Sequence, residues 1–350
     1  MNVQTRPRAA APARQTIQWT QAGAEAPGAD DGDPAPPPKP AWKIWGTRLL
    51  FVAALALGIW LIRRTFAQYG WDQIRDAVAA IPLSRLGLAA CFAAASYACL
   101  TLFDALAVRY IGHRLPYRRT ALASFVSLSL GHSIGFAGLS SGAIRYRFYR
   151  RWGLRLSEVA KLVVFCGMTV GLGLAVLAGI ALLADPWLAE RVTELPPSTS
   201  RLVGAACLVV PALYIGVAAL RPRPIRLWRW TLEVPRLRIA AAQVAVGTVN
   251  FALVAACLHQ ALAAVGEAPY LGVASVYVLA NVATLVTHVP GGLGIIESVV
   301  TTLIPSAHVI GAVVVFRLVY FVVPLAIGTI LFLILEVRRA AQRRAAERQA

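Results

Sequence analysis

Long apolar blocks separated by short polar stretches dominate this chain. Six blocks are continuous and longer than about 17 residues, the length a helix needs to cross a bilayer. They cover residues 45–62, 86–108, 157–184, 202–220, 239–264 and 309–336. Two further blocks, 121–143 and 272–305, are apolar but interrupted by Gly, Ser, Thr and Pro. The pattern predicts an all-α fold, a polytopic integral membrane helix bundle with about six full spans and two broken or re-entrant segments.

The polar stretches are too short to hold a folded soluble domain. Residues 1–43 are rich in Pro and Ala and lack apolar periodicity, which predicts a disordered tail. Residues 44–337 form the predicted transmembrane domain, and 338–350 form a basic tail. In the connection 63–85, four apolar residues recur at helical spacing, which favours an interfacial amphipathic helix: Trp71, Ile74, Val78 and Ile81.

Composition supports a membrane protein and excludes several other classes. Of the 350 residues, 58% are hydrophobic and 14% are charged, against roughly 25% charged in a soluble domain. This excludes a soluble enzyme, a disordered chain and a disulfide-stapled secreted module. We find no nucleotide-binding or nucleophile motif and no metal-ligand spacing, so we expect no cofactor and no metal, and catalysis is disfavoured.

The net charge of +18 comes from arginines and lysines that fall between the apolar blocks. That distribution indicates membrane topology and contact with anionic lipids rather than nucleic-acid binding. Basic clusters at 145–155, 221–238 and 338–350 should be cytoplasmic by the positive-inside rule. Both termini are therefore expected on the cytoplasmic side of a bacterial inner membrane.

The two broken segments decide the topology. If 121–143 dips into the membrane and returns, fewer basic residues lie outside than if it crosses fully, so the re-entrant arrangement is preferred. Segment 272–305 is either a re-entrant hairpin or two short crossings. The re-entrant arrangement gives two halves of opposite direction, the plan of an inverted repeat, with coincidence among helix lengths as the alternative.

The first broken segment combines small residues with two arginines. Gly131 and Gly135 break its helical pattern beside His132, and Arg145 and Arg147 follow. Freed backbone amides and adjacent arginines suit an anionic headgroup. Tight helix packing with ordinary cytoplasmic-edge arginines is the alternative, and a packing role is favoured for His132.

The second broken segment contains a strong helix stop before a carboxylate. The stop consists of Pro290, Gly291, Gly292 and Gly294. Glu297 falls in the first turn of the next helix, where capping alone would explain it. A functional role is the alternative, because a charge at this depth costs on the order of 3 kcal/mol. His288 is interpreted in the same way as His132.

Two more charged residues interrupt full spans. Arg317 lies too deep in the last span to reach the surface easily, and its candidate partner is Glu297. The pair would either hold the broken segment in place or contact a lipid phosphate. Asp104 ends the second span and is expected to pair with Arg109 or another loop arginine, with a functional role as the alternative.

Several of these segments resemble one known family. Ser96–Arg109, Gly138–Tyr149 followed by Gly153, Pro290–Glu297 and Phe316–Pro324 are similar to the membrane region of lysylphosphatidylglycerol synthase/flippase proteins, over about residues 45–335. The Arg-x-x-Tyr element of that pattern adds Tyr320 to the candidate site. Two-part members carry a soluble aminoacyl-transfer domain, which these 350 residues lack. The resemblance therefore implies the flippase-like half, and lysyl transfer is not expected from it.

The leading functional hypothesis is a translocase for membrane lipids with anionic or polar headgroups. Such a headgroup would enter between the broken segments, with Arg145, Arg147 and Arg317 neutralising phosphate. Glu297 would fix the fold or contact a cationic headgroup. Two alternatives remain: a membrane-embedded enzyme that uses Asp104 with Glu297 as an acid–base pair, and a non-catalytic subunit that holds a lipid-modifying enzyme partner.

Overall fold

The computed structural model describes residues 71–134, 137–184, 196–220, 225–227, 230–232, 234–287, 294–303 and 309–349. Almost all of them are helical. The helices are α1 (Trp71–Ala80), α2 (Leu83–Tyr110), α3 (Tyr117–Ile134), α4 (Ala137–Tyr149), α5 (Leu156–Ala184), α6 (Pro197–Ala219), α7 (Leu237–Leu262), α8 (Tyr270–Thr287), α9 (Ile295–Leu303), α10 (Val309–Arg317) and α11 (Val323–Gln349). A 3₁₀ turn, Arg150–Trp152, follows α4, and a π-helical segment, Leu318–Val322, joins α10 to α11.

Five of the six predicted full spans are confirmed. Among the described residues, α2, α5, α6, α7 and the continuous run Val309–Arg339 are long and apolar enough to cross a membrane. The predicted span 45–62 and the tail 1–43 lie outside the described residues. The helix predicted in 63–85 is present as α1. The protein is a polytopic helical membrane protein.

One detail differs from the all-helical prediction, and one extends it. The connection between α6 and α7 contains a short antiparallel hairpin, β1 (Ile225–Leu227) and β2 (Trp230–Leu232), in which Leu227 pairs with Trp230. The predicted basic tail from residue 338 is a continuation of α11, which ends at Gln349.

Helices α2 and α7 cross at the centre of the bundle and run in opposite directions. Ser96 contacts Asn250 near the midpoints of both helices, and Arg85 donates to Gln260 at 3.0 Å nearer one end. We call the end of the bundle at which α2 begins and α7 ends the Arg85 end. The opposite end, where α2 finishes, is the Tyr110 end.

The first broken segment is a helical hairpin that begins and ends at the Tyr110 end. Helix α3 starts there, a short connection after α2 ends, and its Tyr117 hydroxyl lies 2.6 Å from the Thr101 hydroxyl of α2. Helix α4 packs back against α3, with the Ser140 hydroxyl donating to the carbonyl of Gly131 at 3.2 Å. Helix α4 returns to the same end, where Tyr149 contacts Asp104. The contacts give the re-entrant arrangement; the connecting residues 135–136 lie outside the described part.

The second broken segment has the opposite direction. Helix α8 starts at the Arg85 end, directly after the turn that follows α7. Helix α10 also starts there, beside α1, which directly precedes α2. Gly311 of α10 packs so closely on α1 that an added Cβ would lie 3.0 Å from the Cβ of Ala77. Helix α11 then reaches the Tyr110 end, where Glu336 binds Arg147. The α8–α9 pair therefore enters and leaves at the Arg85 end, as the inverted-repeat order predicts.

Small residues allow the central helices to approach closely. A Cβ built on Gly247 of α7 would lie 2.6 Å from the Thr169 carbonyl oxygen of α5, so only glycine fits at this crossing. Gln243, fully buried, donates to the carbonyl of Phe165 at 3.0 Å and accepts from Tyr214 of α6 at 2.5 Å. Helix α6 otherwise presents an exposed apolar face suited to acyl chains.

Candidate functional site

Asp104 and Arg145 form a fully buried ion pair between α2 and α4. Arg145 Nη2 donates to Asp104 Oδ1 at 2.7 Å, and Nε donates to Oδ2 at 3.0 Å. The side chains are 0% and 3% exposed. The pair ties the second arm of the re-entrant hairpin to a full span. Breaking such a pair leaves a bare buried charge, which destabilises a protein by about 3–5 kcal/mol.

Neighbouring side chains complete the hydrogen bonding of this pair. The Tyr149 hydroxyl donates to Asp104 Oδ2 at 2.8 Å, and the Ser124 hydroxyl lies 3.1 Å from Oδ1. Arg145 Nη1 donates to Ser141 at 2.9 Å. The expectation that Asp104 pairs with Arg109 or another loop arginine is confirmed in its second form, since the partner is Arg145. Residues 145–149, assigned to a cytoplasmic loop by the charge pattern, belong instead to α4, which explains how Arg145 reaches inward.

Glu297 and Arg317 form the second pair, which confirms the predicted partnership. Arg317 Nε donates to Glu297 Oε1, and Nη2 donates to Oε2 at 2.7 Å. The side chains are 5% exposed for Arg317 and 14% for Glu297. Glu297 also accepts from the backbone N–H of Gly294 at 2.9 Å, where Gly294 has φ +82°. The carboxylate therefore caps α9 and binds the arginine at once, so capping and pairing are not alternatives.

A polar cluster adjoins this second pair at the centre of the bundle. Tyr320 lies one turn after Arg317, in the π-helical segment, and its hydroxyl is 3.0 Å from the hydroxyl of Ser96. Ser96 donates to Asn250 Oδ1 at 2.8 Å, so Tyr320 is the donor to Ser96. The Tyr97 hydroxyl donates to the Tyr320 carbonyl at 3.3 Å. π-helical segments occur often at functional sites.

Three buried polar residues that join helices were not predicted: Ser96 and Asn250 in the central cluster, and Gln243 between α5, α6 and α7. Ser96, Asn250 and Gln243 are at most 2% exposed and lie within the spans α2 and α7. The available signal was the rule that a polar side chain inside an apolar span faces a partner or a cavity. The interpretation of the sequence extended that rule to charged residues and histidines, but not to the uncharged hydroxyl of Ser96 or the amides of Asn250 and Gln243.

The remaining candidates lie in separate places. His132 is in α3, and its Nδ1 is buried without a hydrogen-bond partner among the described residues. Arg147 is not beside Arg317 but near the surface at the Tyr110 end, where it binds Glu336 at 2.5 Å. Gly131 faces Ser141 across the α3–α4 hairpin. The other candidates lie outside the described residues: Gly135, His288, Pro290, Gly291 and Gly292.

The two buried carboxylates do not form an acid–base pair. Asp104 binds Arg145 and Glu297 binds Arg317, through different helices. Asp104 lies eight residues beyond Ser96 along α2, a rise of about 12 Å, toward the Tyr110 end. Arg317 lies one turn before Tyr320, which contacts Ser96, and is therefore displaced from Ser96 toward the Arg85 end. Within the described ranges, no group of three or more His, Cys, Asp or Glu side chains is placed to hold a metal ion.

These features define a multi-pass helical membrane protein with two oppositely directed helical hairpins. The chain belongs to the family described as the lysylphosphatidylglycerol synthase TM region, which it matches over residues 51–328. It is 30% identical over 273 residues to the uncharacterized protein slr0712 of Synechocystis sp., covering 77% of this chain and 85% of that protein. It is 28% identical over 316 residues to the inner membrane protein YbhN of Escherichia coli, covering 85% of this chain and 94% of that protein.

Proposed function

We propose that this protein is a translocase that moves a lipid with a polar headgroup across a bacterial inner membrane. The observation that carries the proposal is the Glu297–Arg317 pair. It joins the second helical hairpin to a full span beside a helix irregularity, within a predominantly helical and apolar span that also carries the Tyr320–Ser96 contact. The family name links the transmembrane region to a lipid with a charged headgroup, and the proposal extends that link to transport by this chain.

In this proposal, the two charges exchange each other for oppositely charged groups of a lipid headgroup. Each charge costs on the order of 3 kcal/mol at the centre of a bilayer, and the internal pair offsets this cost when no lipid is bound. The phosphate of the headgroup would bind Arg317, and a cationic group of the same headgroup would bind Glu297. The internal pair would then be replaced without leaving either charge unpaired. Tyr320 would add a hydroxyl to the same region. The predicted phosphate-binding role of Arg145 is less well supported by its geometry, because Asp104 and Ser141 already engage its guanidinium.

The opposite directions of the hairpins supply a route for the headgroup. The α3–α4 hairpin enters from the Tyr110 end, and the α8–α9 hairpin enters from the Arg85 end. In transporters built this way, broken helices line the substrate site, and one half moves against the other to expose it alternately. The headgroup would pass between the hairpins while its acyl chains remain in the bilayer. Uphill movement would need an ion gradient or a partner, because the sequence has no nucleotide-binding motif.

We propose that the Tyr110 end faces the cytoplasm. The described arginines concentrate there, at the adjoining ends of α2 to α5, in the connections between them and along α11: Arg109, Arg114, Arg118, Arg119, Arg147, Arg150, Arg151, Arg155, Arg338 and Arg339. Near the Arg85 end, Arg75, Arg85 and Arg201 are the described counterparts. This asymmetry follows the positive-inside rule and would place the C-terminus in the cytoplasm.

Reconstitution tests the proposal directly. The full chain is placed in liposomes with trace amounts of fluorescent phosphatidylglycerol, lysylphosphatidylglycerol or a glycolipid, and transbilayer movement is followed by dithionite quenching. We expect movement of at least one lipid above that in protein-free liposomes and above that with an Arg317→Gln variant. Movement equal to the protein-free level for every headgroup, with folded protein and with the proposed driving gradients applied, would rule the proposal out.

A further inference from the structure

A second charged cluster lies at the Tyr110 end, where α11 packs against α4. Phe332 and Glu336 are one turn apart on α11, and Arg339 follows within the next turn. The Arg147 guanidinium lies over the Phe332 ring at 5.6 Å, and the Arg339 guanidinium lies over the Phe148 ring at 5.1 Å. The aromatic rings therefore hold both guanidinium groups beside Glu336. Glu336 and Arg339 lie beyond residue 328, where the family match ends.

Three arginines share the single carboxylate of Glu336. Arg147 Nη2 lies 2.5 Å from Oε2, Arg339 Nη1 lies 2.7 Å from Oε1, and Arg151 Nη2 lies 3.5 Å from Oε1. The cluster of three guanidinium groups and one carboxylate carries a net charge of +2. One carboxylate would suffice for one guanidinium fork, whereas several convergent forks suit a phosphate with three or four oxygens.

The cluster also has hydrogen-bonding capacity that Glu336 does not use. Nε of Arg147 is buried, and in the described part of the chain it has no acceptor. A buried donor of this kind indicates a ligand or ion that completes its hydrogen bonding. The side chains are 24–31% exposed, so a headgroup at the membrane surface can reach them.

We propose that Arg147, Arg151 and Arg339 form a binding site for a phosphate group, and that Glu336 is an internal anion that occupies the site until phosphate displaces it. The ligand is a phosphate group, either the mono- or diester of a lipid headgroup or free inorganic phosphate. This site is separate from the Glu297–Arg317 pair and does not require transport. It makes the attachment of α11 to α4 dependent on anion binding.

Charge-neutral variants of the full chain test the site. Binding of dioctanoyl phosphatidic acid to detergent-solubilised protein is measured by native mass spectrometry, with dioctanoylglycerol as the probe without phosphate. Glu336→Gln removes the competing anion, so we expect affinity about three- to tenfold above wild type. Glu158→Gln is the matched control, since it makes the same charge change at the same end, where Glu158 binds His113 instead; its affinity should stay within about twofold.

A second variant provides an independent measurement if Glu336→Gln fails to fold. Arg147→Gln/Arg151→Gln leaves Arg339 to pair with Glu336, and we expect phosphatidic acid binding about tenfold weaker than wild type. If the cluster is purely structural, Glu336→Gln should bind phosphatidic acid no more tightly than Glu158→Gln does, and the double arginine variant should bind it as wild type does. Either result would overturn the proposal. Added inorganic phosphate identifies the source: displacement of the lipid supports a free-phosphate site, and its absence supports a headgroup site.

Discussion

The hydroxyl of Ser96 donates to Asn250 Oδ1 over 2.8 Å at the point where α2 and α7 cross near their midpoints. Each of these helices is the span that precedes the broken segment in its half of the chain. Their antiparallel crossing therefore lies where the two oppositely directed halves meet. The Tyr320 hydroxyl joins the same contact from the π-helical segment, so one hydrogen-bonded cluster connects the halves to the helix that carries Arg317.

The central hydrogen bond should contribute measurably to stability. Replacing Asn250 by Ala should destabilise the protein by about 1 kcal/mol, since interhelical hydrogen bonds in membranes average about 0.6 and reach about 1.7 kcal/mol. Thr248→Ala is the control, because Thr248 bonds only the carbonyl of Val244 in its own helix among the contacts described. Unfolding in mixed micelles measures both variants. Equal effects would mean that the Ser96 contact contributes nothing.

The Asp104–Arg145 pair should behave as a coupled unit. Asp104→Asn or Arg145→Gln alone should cost about 3–5 kcal/mol, because each leaves one buried charge without its partner. The double variant should cost less than the sum of the single variants, by more than about 1 kcal/mol. Melting temperatures in detergent measure the cycle, with exposed Arg118→Gln as the control. Additive effects would show that the two charges do not interact.

The α5–α7 crossing should not tolerate a side chain at Gly247. Gly247→Ala forces a Cβ to 2.6 Å from the Thr169 carbonyl oxygen, and we expect a loss of about 1–3 kcal/mol from overpacking. Gly171→Ala in α5 is the matched control, because its Cβ would meet no atom within 4 Å. Since alanine favours helix over glycine by up to about 1 kcal/mol, the control should be neutral or stabilising. A stable Gly247→Ala protein would contradict the packing.

The re-entrant hairpin predicts that both of its flanks are accessible from one side of the membrane. Single cysteines at Arg114 and Arg150, introduced after replacing the five native cysteines, should react with an impermeant maleimide in inside-out vesicles. A cysteine at Glu267, beside the Arg85 end, should react in intact cells instead. Labelling of positions 114 and 150 from opposite sides would show that 121–143 crosses the membrane fully.

The lengths of the apolar blocks predicted most of the fold, because a membrane span is a local property of about 20 consecutive residues. The five confirmed spans followed from these lengths, and helix α1 followed from the helical spacing of its apolar residues. The Glu297–Arg317 pair was also predictable, since both charges lie in apolar surroundings on consecutive segments and each needs a partner there.

The partners of Asp104 and Arg147 were not predictable in the same way. Asp104 has several arginines nearby in sequence, and only the return of α4 alongside α2 selects Arg145. Arg147 lies two residues from Arg145, yet it points toward Glu336, which is 189 residues away. Which face of a helix meets which neighbour depends on tertiary packing, and one sequence does not determine it. The interiors of both broken segments partly lie outside the described residues, so the roles of His288 and Pro290 stay predictions.

The most direct test of the account is lipid translocation by the double variant Glu297→Gln/Arg317→Gln. Removing both charges together leaves no bare buried charge, so the protein should fold with a melting temperature close to that of wild type. If the pair exchanges its partners for a lipid headgroup, translocation in liposomes should fall at least about tenfold, toward the protein-free rate. A folded double variant that moves lipid at the wild-type rate would show that the pair serves only to hold α9 against α10, and the central claim would be wrong.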